Sequence, residues 1–284
     1  MKLSIIIPTF NNLDYLKFFL RSLKINSTFD HEIILHINDG SDGTLKYALD
    51  NNIKHTYSET NIGLCSSMNK AYSLTTTDHI LYAHDDMYFC KNWDIFLIDE
   101  INKQNNNQYY LSGTNVSTRH GLINFDCGLT YLDFDEKKFH NFCSQDQTPD
   151  LQSSHWAPHL IHKELWDKIG GFSEEFNPGD GSDPDFCMKL WLNDVRIFKG
   201  VSKFKVYHFN SITTRNSKIV LNNGTKTFLS KYGFNPKFFR KHYLKGNNSV
   251  VPFKGRLNNP KKNFSMLLDL TINKIKYTIN KFRA

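Results

Sequence analysis

The sequence predicts an α/β protein, with a mostly parallel central sheet flanked by helices and a basic helical extension at the C-terminus. Two observations predict the sheet. Short β-branched runs alternate with apolar segments of three-to-four spacing through residues 3–90, and each run ends in a polar loop. A third predicts the extension: Lys and Arg crowd the end of the chain.

Residues 3–7 form a β-branched run closed by Pro8, a buried strand. Asn11 or Asn12 caps a helix whose apolar positions are Leu13, Leu16, Phe19, Leu20 and Leu23. A strand follows over 32–37, the loop NDGSDG, a helix over 44–49 and a strand over 53–57. A helix over 64–74 and a strand over 79–83 complete the series. Beyond residue 108 the alternation stops. Segments 109–112 and 122–131 read as strands of a mixed extension, and 133–153 as polar loop. IHKELWDKIGGF reads as a helix stopped at Gly170 and Gly171, followed by a helix over 184–193 and strands over 195–198 and 204–208. The last 24 residues read as a basic amphipathic helix. This divides the chain into a domain over 1–210, with a nucleotide-binding half (1–107) and an acceptor half (108–210), and an extension over 211–284.

With 284 residues, 39% hydrophobic and 22% charged, the chain is no disordered polymer, and 15 Gly with 8 Pro exclude a collagen-like or linker-dominated one. Five unpatterned cysteines suit reduced thiols, the opening MKLSIIIPTF is too short for a leader, and no run reaches the ~20 apolar residues of a membrane span. The expectation is a cytoplasmic protein, free or peripheral on the inner face of the membrane. Residues 1–198 hold 16 Lys and Arg against 27 Asp and Glu, whereas residues 199–284 hold 19 against one. A tail of that density suits a polyanion.

In a parallel sheet, ligands sit beyond the carboxyl ends of the strands, and the loops 9–12, 38–43, 59–63 and 84–86 all fall there. In AHDDM, Asp85 and Asp86 diverge from a strand end, so one can hold a ribose or sugar hydroxyl while the other ligates Mg2+ or Mn2+. In GDGSDPDF, Asp183 reads either as a helix N-cap before Pro184 or as a general base whose proton affinity is raised by Asp180 and Asp185. His208, after the strand-like FKVY, can complete a metal site. Trp156 and Trp191 flank Asp183 and read either as core or as platforms for an acceptor sugar. Gly63 opens a helix whose N-terminal amides could face a ligand.

In order, SIIIPTFNN, HINDGSDGT, NIGLCSSMNKA, AHDDM, and GGFSEEF with GSDPDFCMKLW resemble the motifs of inverting family 2 glycosyltransferases of the GT-A fold. The resemblance spans roughly residues 1–210. It implies metal-assisted transfer of a sugar from a nucleoside diphosphate sugar, with UDP the commonest nucleotide, to a glycan or lipid-linked acceptor. It places Pro8, Thr9, Asn11, Asp39, Asn61, Asn69 and Asp85 on the nucleotide sugar, Asp86 with His208 on a divalent metal (Mn2+ or Mg2+), and Asp183 as catalytic base. Four positions depart from the pattern: His84 replaces the first Asp of the metal motif, NDGSDG is one residue short, Ser182 replaces a Glu, and Lys189 replaces an Arg.

A nucleotidyltransferase would carry a Gly-rich basic loop after the first strand, which PTFNN is not. A non-catalytic glycan or polyanion binder would depend on the tail alone, and no nucleic-acid partner is expected. In that tail Phe264, Leu267, Leu268, Ile272, Ile275, Ile279 and Phe282 recur at helical spacing among lysines, the pattern of a helix on anionic lipid or of one packed on its own domain or on a dimer partner.

Overall fold

Strand β1 (Ser4–Phe10) occupies the interior of the parallel half of the sheet because both of its faces are apolar: Ile5, Ile6 and Ile7 have no exposed surface. The computed structural model describes residues 1–209, 222–246 and 251–282, with side chains in the last helix through residue 278. Around β1 lie β2 (Glu32–Asn38), β3 (Lys54–Ser58) and β4 (His79–Tyr82), all parallel, joined by helices α1 (Leu13–Asn26), α2 (Thr44–Asp50) and α3 (Leu64–Tyr72). Helix α1 buries Leu16, Phe19 and Leu23, the stripe read from its spacing.

The second half is mixed. It comprises β5 (Met87–Phe89), α4 (Trp93–Asn102), β6 (Tyr109–Ser117), β7 (Ile123–Asn124), α5 (Glu136–Gln145), β8 (Leu151–Gln152), β9 (His159–His162), α6 (Lys163–Ile169), α7 (Ser182–Leu192) and β10 (Ile197–His208). The sheet runs β3-β2-β1-β4-β9-β6-β10-β5, with β7 beside β6 and β8 beside β10. Strand β9 is antiparallel to both neighbours, β10 is parallel to β6, and β5 is antiparallel to β10.

Three expectations need correction. Residues 133–153 are not all loop: Asp135 accepts the Lys138 amide and caps α5, whose Phe139 is fully buried while Phe142 stacks on Phe125. One deep anchor in so polar a segment leaves little periodicity to read. Of residues 122–131 only Ile123–Asn124 pairs as strand. The two strands expected near 195–208 are one, β10, whose register on β6 shifts between Val201 and Lys205. Its lysines disguised it, yet Lys199 and Lys205 are buried against Asp150 and Asp146.

Helices α8 (Gly224–Tyr232), α9 (Pro236–His242) and α10 (Phe264–Phe282) follow. Phe228, Phe234, Phe238 and Phe239 are buried and join the main core. Lys231 and Tyr232 both reach Asp185 at the start of α7, at 2.9 and 2.7 Å. Residues 210–221, which follow β10, and the side chains of Ile279, Lys281, Phe282 and Arg283 lie outside the described residues.

Candidate active site

Because β1, β2 and β4 are parallel, their carboxyl ends meet on one edge, and the loops that follow them interlock. Asn11, at φ +45°, donates to Asp39 Oδ2 at 2.8 Å and to Ser41. The Asn11 bond, then Ser41, holds the exposed Asp39 carboxyl below its ordinary range. Asn12 sits at the N-cap position of α1 but makes no side-chain cap there. The Leu13 amide is taken by Asp42 Oδ2, and Asn12 Nδ2 instead donates to Asp85 Oδ1 at 3.0 Å. Asp85 Oδ2 is buried without a partner among the described residues, and burial followed by the neighbouring Asp86 pushes its proton affinity upward. Pro8 is half-buried within β1, beside the buried Thr9. Asn61 is exposed on the third loop, where its Oδ1 accepts the Gly63 amide.

Asp86 ends the loop that leads directly into β5. Antiparallel pairing of His208 with Met87 carries the imidazole to it: His208 Nε2 lies 3.0 Å from Asp86 Oδ1, and the Phe209 amide donates to the Asp86 carbonyl. His84 Nδ1 approaches the same oxygen at 4.0 Å, so one carboxylate and two imidazoles present ligand atoms within 4.8 Å of one another. His84 Nε2 contacts the Tyr82 hydroxyl at 2.7 Å, which orients the ring. Burial, then the adjacent His208, lowers His84 to about 4, so it stands neutral with a lone pair available. One oxygen and two nitrogen donors suit Mn2+ and related divalent ions, and the residues therefore fit a metal. His84 was legible only as a missing Asp; its place beside Asp86 and His208, where it could act as a third donor, was not.

The acidic loop before α7 resolves into three different environments. Asp180 Oδ2 accepts the Gly224 amide at 2.8 Å, and Asp185 is tied to Lys231 and Tyr232. Asp183 Oδ1 is buried with no partner among the described residues. The N-cap of α7 is Gly181, at φ +81°, so Asp183 lies inside the first turn and is not the cap. Its carboxyl is raised to about 7 by burial, with His208 pulling the other way. The repulsion expected from Asp180 and Asp185 is not the cause. Gly224 is required beside this loop, because a Cβ there would sit 2.0 Å from the Asp180 carbonyl oxygen.

Asp183 lines a cleft of about 500 Å³ together with His155, Trp156, Lys237 and Arg240. The His84–Asp86–His208 cluster lies outside its lining, and Asp183 is the link: it borders the cleft while its carboxyl senses His208. Trp156 is fixed there by its Nε1–H bond to the Gly113 carbonyl at 2.8 Å. Trp191 is not at the cleft. It is 4% exposed and packs on Phe198 and Tyr243 with the Arg196 guanidinium 4.0 Å over its ring, a core residue. Asn69 is likewise engaged: both ends of its amide bond the Phe172 backbone at 2.9 Å, latching α3 to the GGF turn. The α3 N-terminus does not face a ligand, since Asn177 Oδ1 accepts its Cys65 amide at 2.9 Å. Lys237 and Arg240, from α9, escaped sequence reasoning because nothing local ties that helix to the acidic loop.

Residues 4–141 match the model of Glycosyl transferase family 2. Comparison with curated proteins returns no match. Among solved structures, S. aureus TarS 1-349 is 20% identical with a TM-score of 0.53, over 73% of this chain and 60% of that one. The same fragment in complex with UDP-GlcNAc gives 19% and 0.54, over 74% and 61%. GalNAc-T7 with UDP, GalNAc and Mn2+ gives 14% and 0.59, over 85% and 50%. The chain thus spans less than two thirds of each of these structures. Family match and fold agree with the interlocked loops at the sheet edge: residues 4–141 are similar to the family 2 glycosyltransferases, and the fold is of the GT-A kind.

Proposed function

We propose that the protein transfers a sugar from a nucleoside diphosphate sugar, UDP-linked, to a glycan or lipid-linked acceptor hydroxyl with inversion, and that Asp183 is the general base. One observation carries the reading: of three carboxylates in the loop 180–185, Asp183 alone combines a buried oxygen that has no partner among the described residues with a place on a cleft large enough for a saccharide, since Asp185 lies off the cleft and Asp180 is held by the Gly224 amide. The loops of Asn11, Asp39 and Asp85 would receive the nucleotide and ribose. His84, Asp86 and His208 would hold a divalent ion, Mn2+ or Mg2+, which supplies Lewis-acid neutralisation of the diphosphate. Trp156 offers its face to the acceptor ring. Asp183 takes the proton from the attacking hydroxyl, a new bond forms to the anomeric carbon, and the bond to the diphosphate oxygen breaks on the opposite side. A carboxyl near 7 holds that proton better than an ordinary carboxylate would, as a base near neutral pH requires. The TarS structure in complex with UDP-GlcNAc and the GalNAc-T7 structure with UDP, GalNAc and Mn2+ support the donor class.

Thermal-shift titration with uridine, guanosine, cytidine and thymidine diphosphates, each with and without Mn2+, tests the donor half. Stabilisation by UDP that grows with Mn2+ is the expected result. No stabilisation by any nucleoside diphosphate would refute the reading.

A further inference from the structure

Helix α10 has two apolar faces, and only one of them is covered among the described residues. Met266 and Asn273 are buried, and Asn273 Oδ1 accepts the Asn235 amide at 2.9 Å. Asp269, the lone acid after residue 199, is held by Lys241 and His242 at 2.6 and 2.8 Å. These contacts fix the helix on α9. On the other side Phe264 is 82% exposed, Leu267 49%, Leu268 51%, Ile272 42% and Ile275 56%. At 100° per residue those five side chains fall within an arc of about 140°, opposite the docked face. Lys274 and Lys276 stand at its two borders, exposed, and Lys261 and Lys262 precede the helix.

We infer that this ridge is a docking surface for an anionic lipid bilayer, with the helix lying in the interface and its border lysines reaching the headgroups. An exposed apolar ridge has to be covered by something apolar, and bordering ammonium groups select a negatively charged partner. A second copy of this chain fits poorly, because apposed ridges would bring Lys274 and Lys276 of each copy together in a tail whose one acid is already neutralised. Helix α9 also carries Lys237 and Arg240 into the cleft, so the bilayer-facing helix and the candidate acceptor cleft share one support. Docking there would bring that cleft near a lipid surface. Binding to lipid does not depend on transfer, so the two proposals fail separately.

The test is co-sedimentation of the full chain with phosphatidylcholine vesicles, with or without about a third phosphatidylglycerol, at low and high salt. The wild type is expected to sediment with the anionic vesicles, less at high salt and weakly with neutral ones. Replacing Leu268→Asp with Ile275→Asp should lower binding about tenfold or more, and Lys274→Glu with Lys276→Glu similarly, with unchanged circular dichroism and UDP thermal shift. Failure of the wild type to prefer anionic vesicles would overturn the inference, as would folded variants that bind as well as wild type. A wild-type dimer that does not bind vesicles, and that the aspartate variant splits, would assign the ridge to a second copy and overturn it too.

Discussion

His208 Nε2 stands 3.0 Å from Asp86 Oδ1 although 122 residues separate them, because β5 begins one residue after Asp86 and pairs antiparallel with the end of β10. The sheet itself therefore assembles the candidate metal centre. His208→Ala, His84→Ala and Asp86→Asn should each lower Mn2+-dependent transfer about a hundredfold and weaken the Mn2+ enhancement of UDP binding. Isothermal titration with Mn2+ and UDP checks this. Unchanged metal affinity in His84→Ala would remove it from the ligand set.

The two candidate tryptophans should separate by phenotype. Trp191→Ala empties a packed site beneath Arg196 and should cost about 3–5 kcal/mol of stability. Trp156→Ala should leave the fold largely intact and raise the acceptor KM. Urea denaturation and acceptor kinetics on both variants distinguish them.

Glu32 makes stability depend on acid. Burial alone would raise its carboxyl, but hydrogen bonds from Ser4, Lys54 and both the amide and hydroxyl of Thr76 outweigh it and hold the group at about 2, below an ordinary 4.5. A depressed carboxylate contributes stability above its unfolded value and loses it as pH falls toward the folded one. That contribution, on the order of 1–2 kcal/mol after solvent screening, should be present above pH 4.5 and fade toward pH 2. Glu32→Gln should lose it at neutral pH and flatten the dependence. Urea midpoints across that range measure both.

The parallel half was legible because its strands are β-branched and its loops end in small polar residues, as in IIIPTFNN and HINDGSDG. The candidate site was legible where chemistry and chain order coincide: the pairing of Asp86 with His208 and the placing of Asp183 at the cleft. It was not legible where a side chain is claimed by a distant backbone. Asn69 matches a motif position but spends its amide on Phe172, and Asn12 occupies a cap position but serves Asp85. Nor could local pattern show that Gly224, Lys231 and Tyr232 clamp two acids of the loop and leave the third. Buried ion pairs hid β10 for the same reason, since a lysine carries no sign of the aspartate it will meet.

Asp183→Asn keeps the shape of the side chain and removes its capacity to take a proton. Measured with a UDP-sugar that the wild type turns over, its kcat should fall on the order of a thousandfold while UDP affinity and Tm stay at wild-type values. Transfer within a few fold of wild type would contradict the assignment of Asp183 as the base.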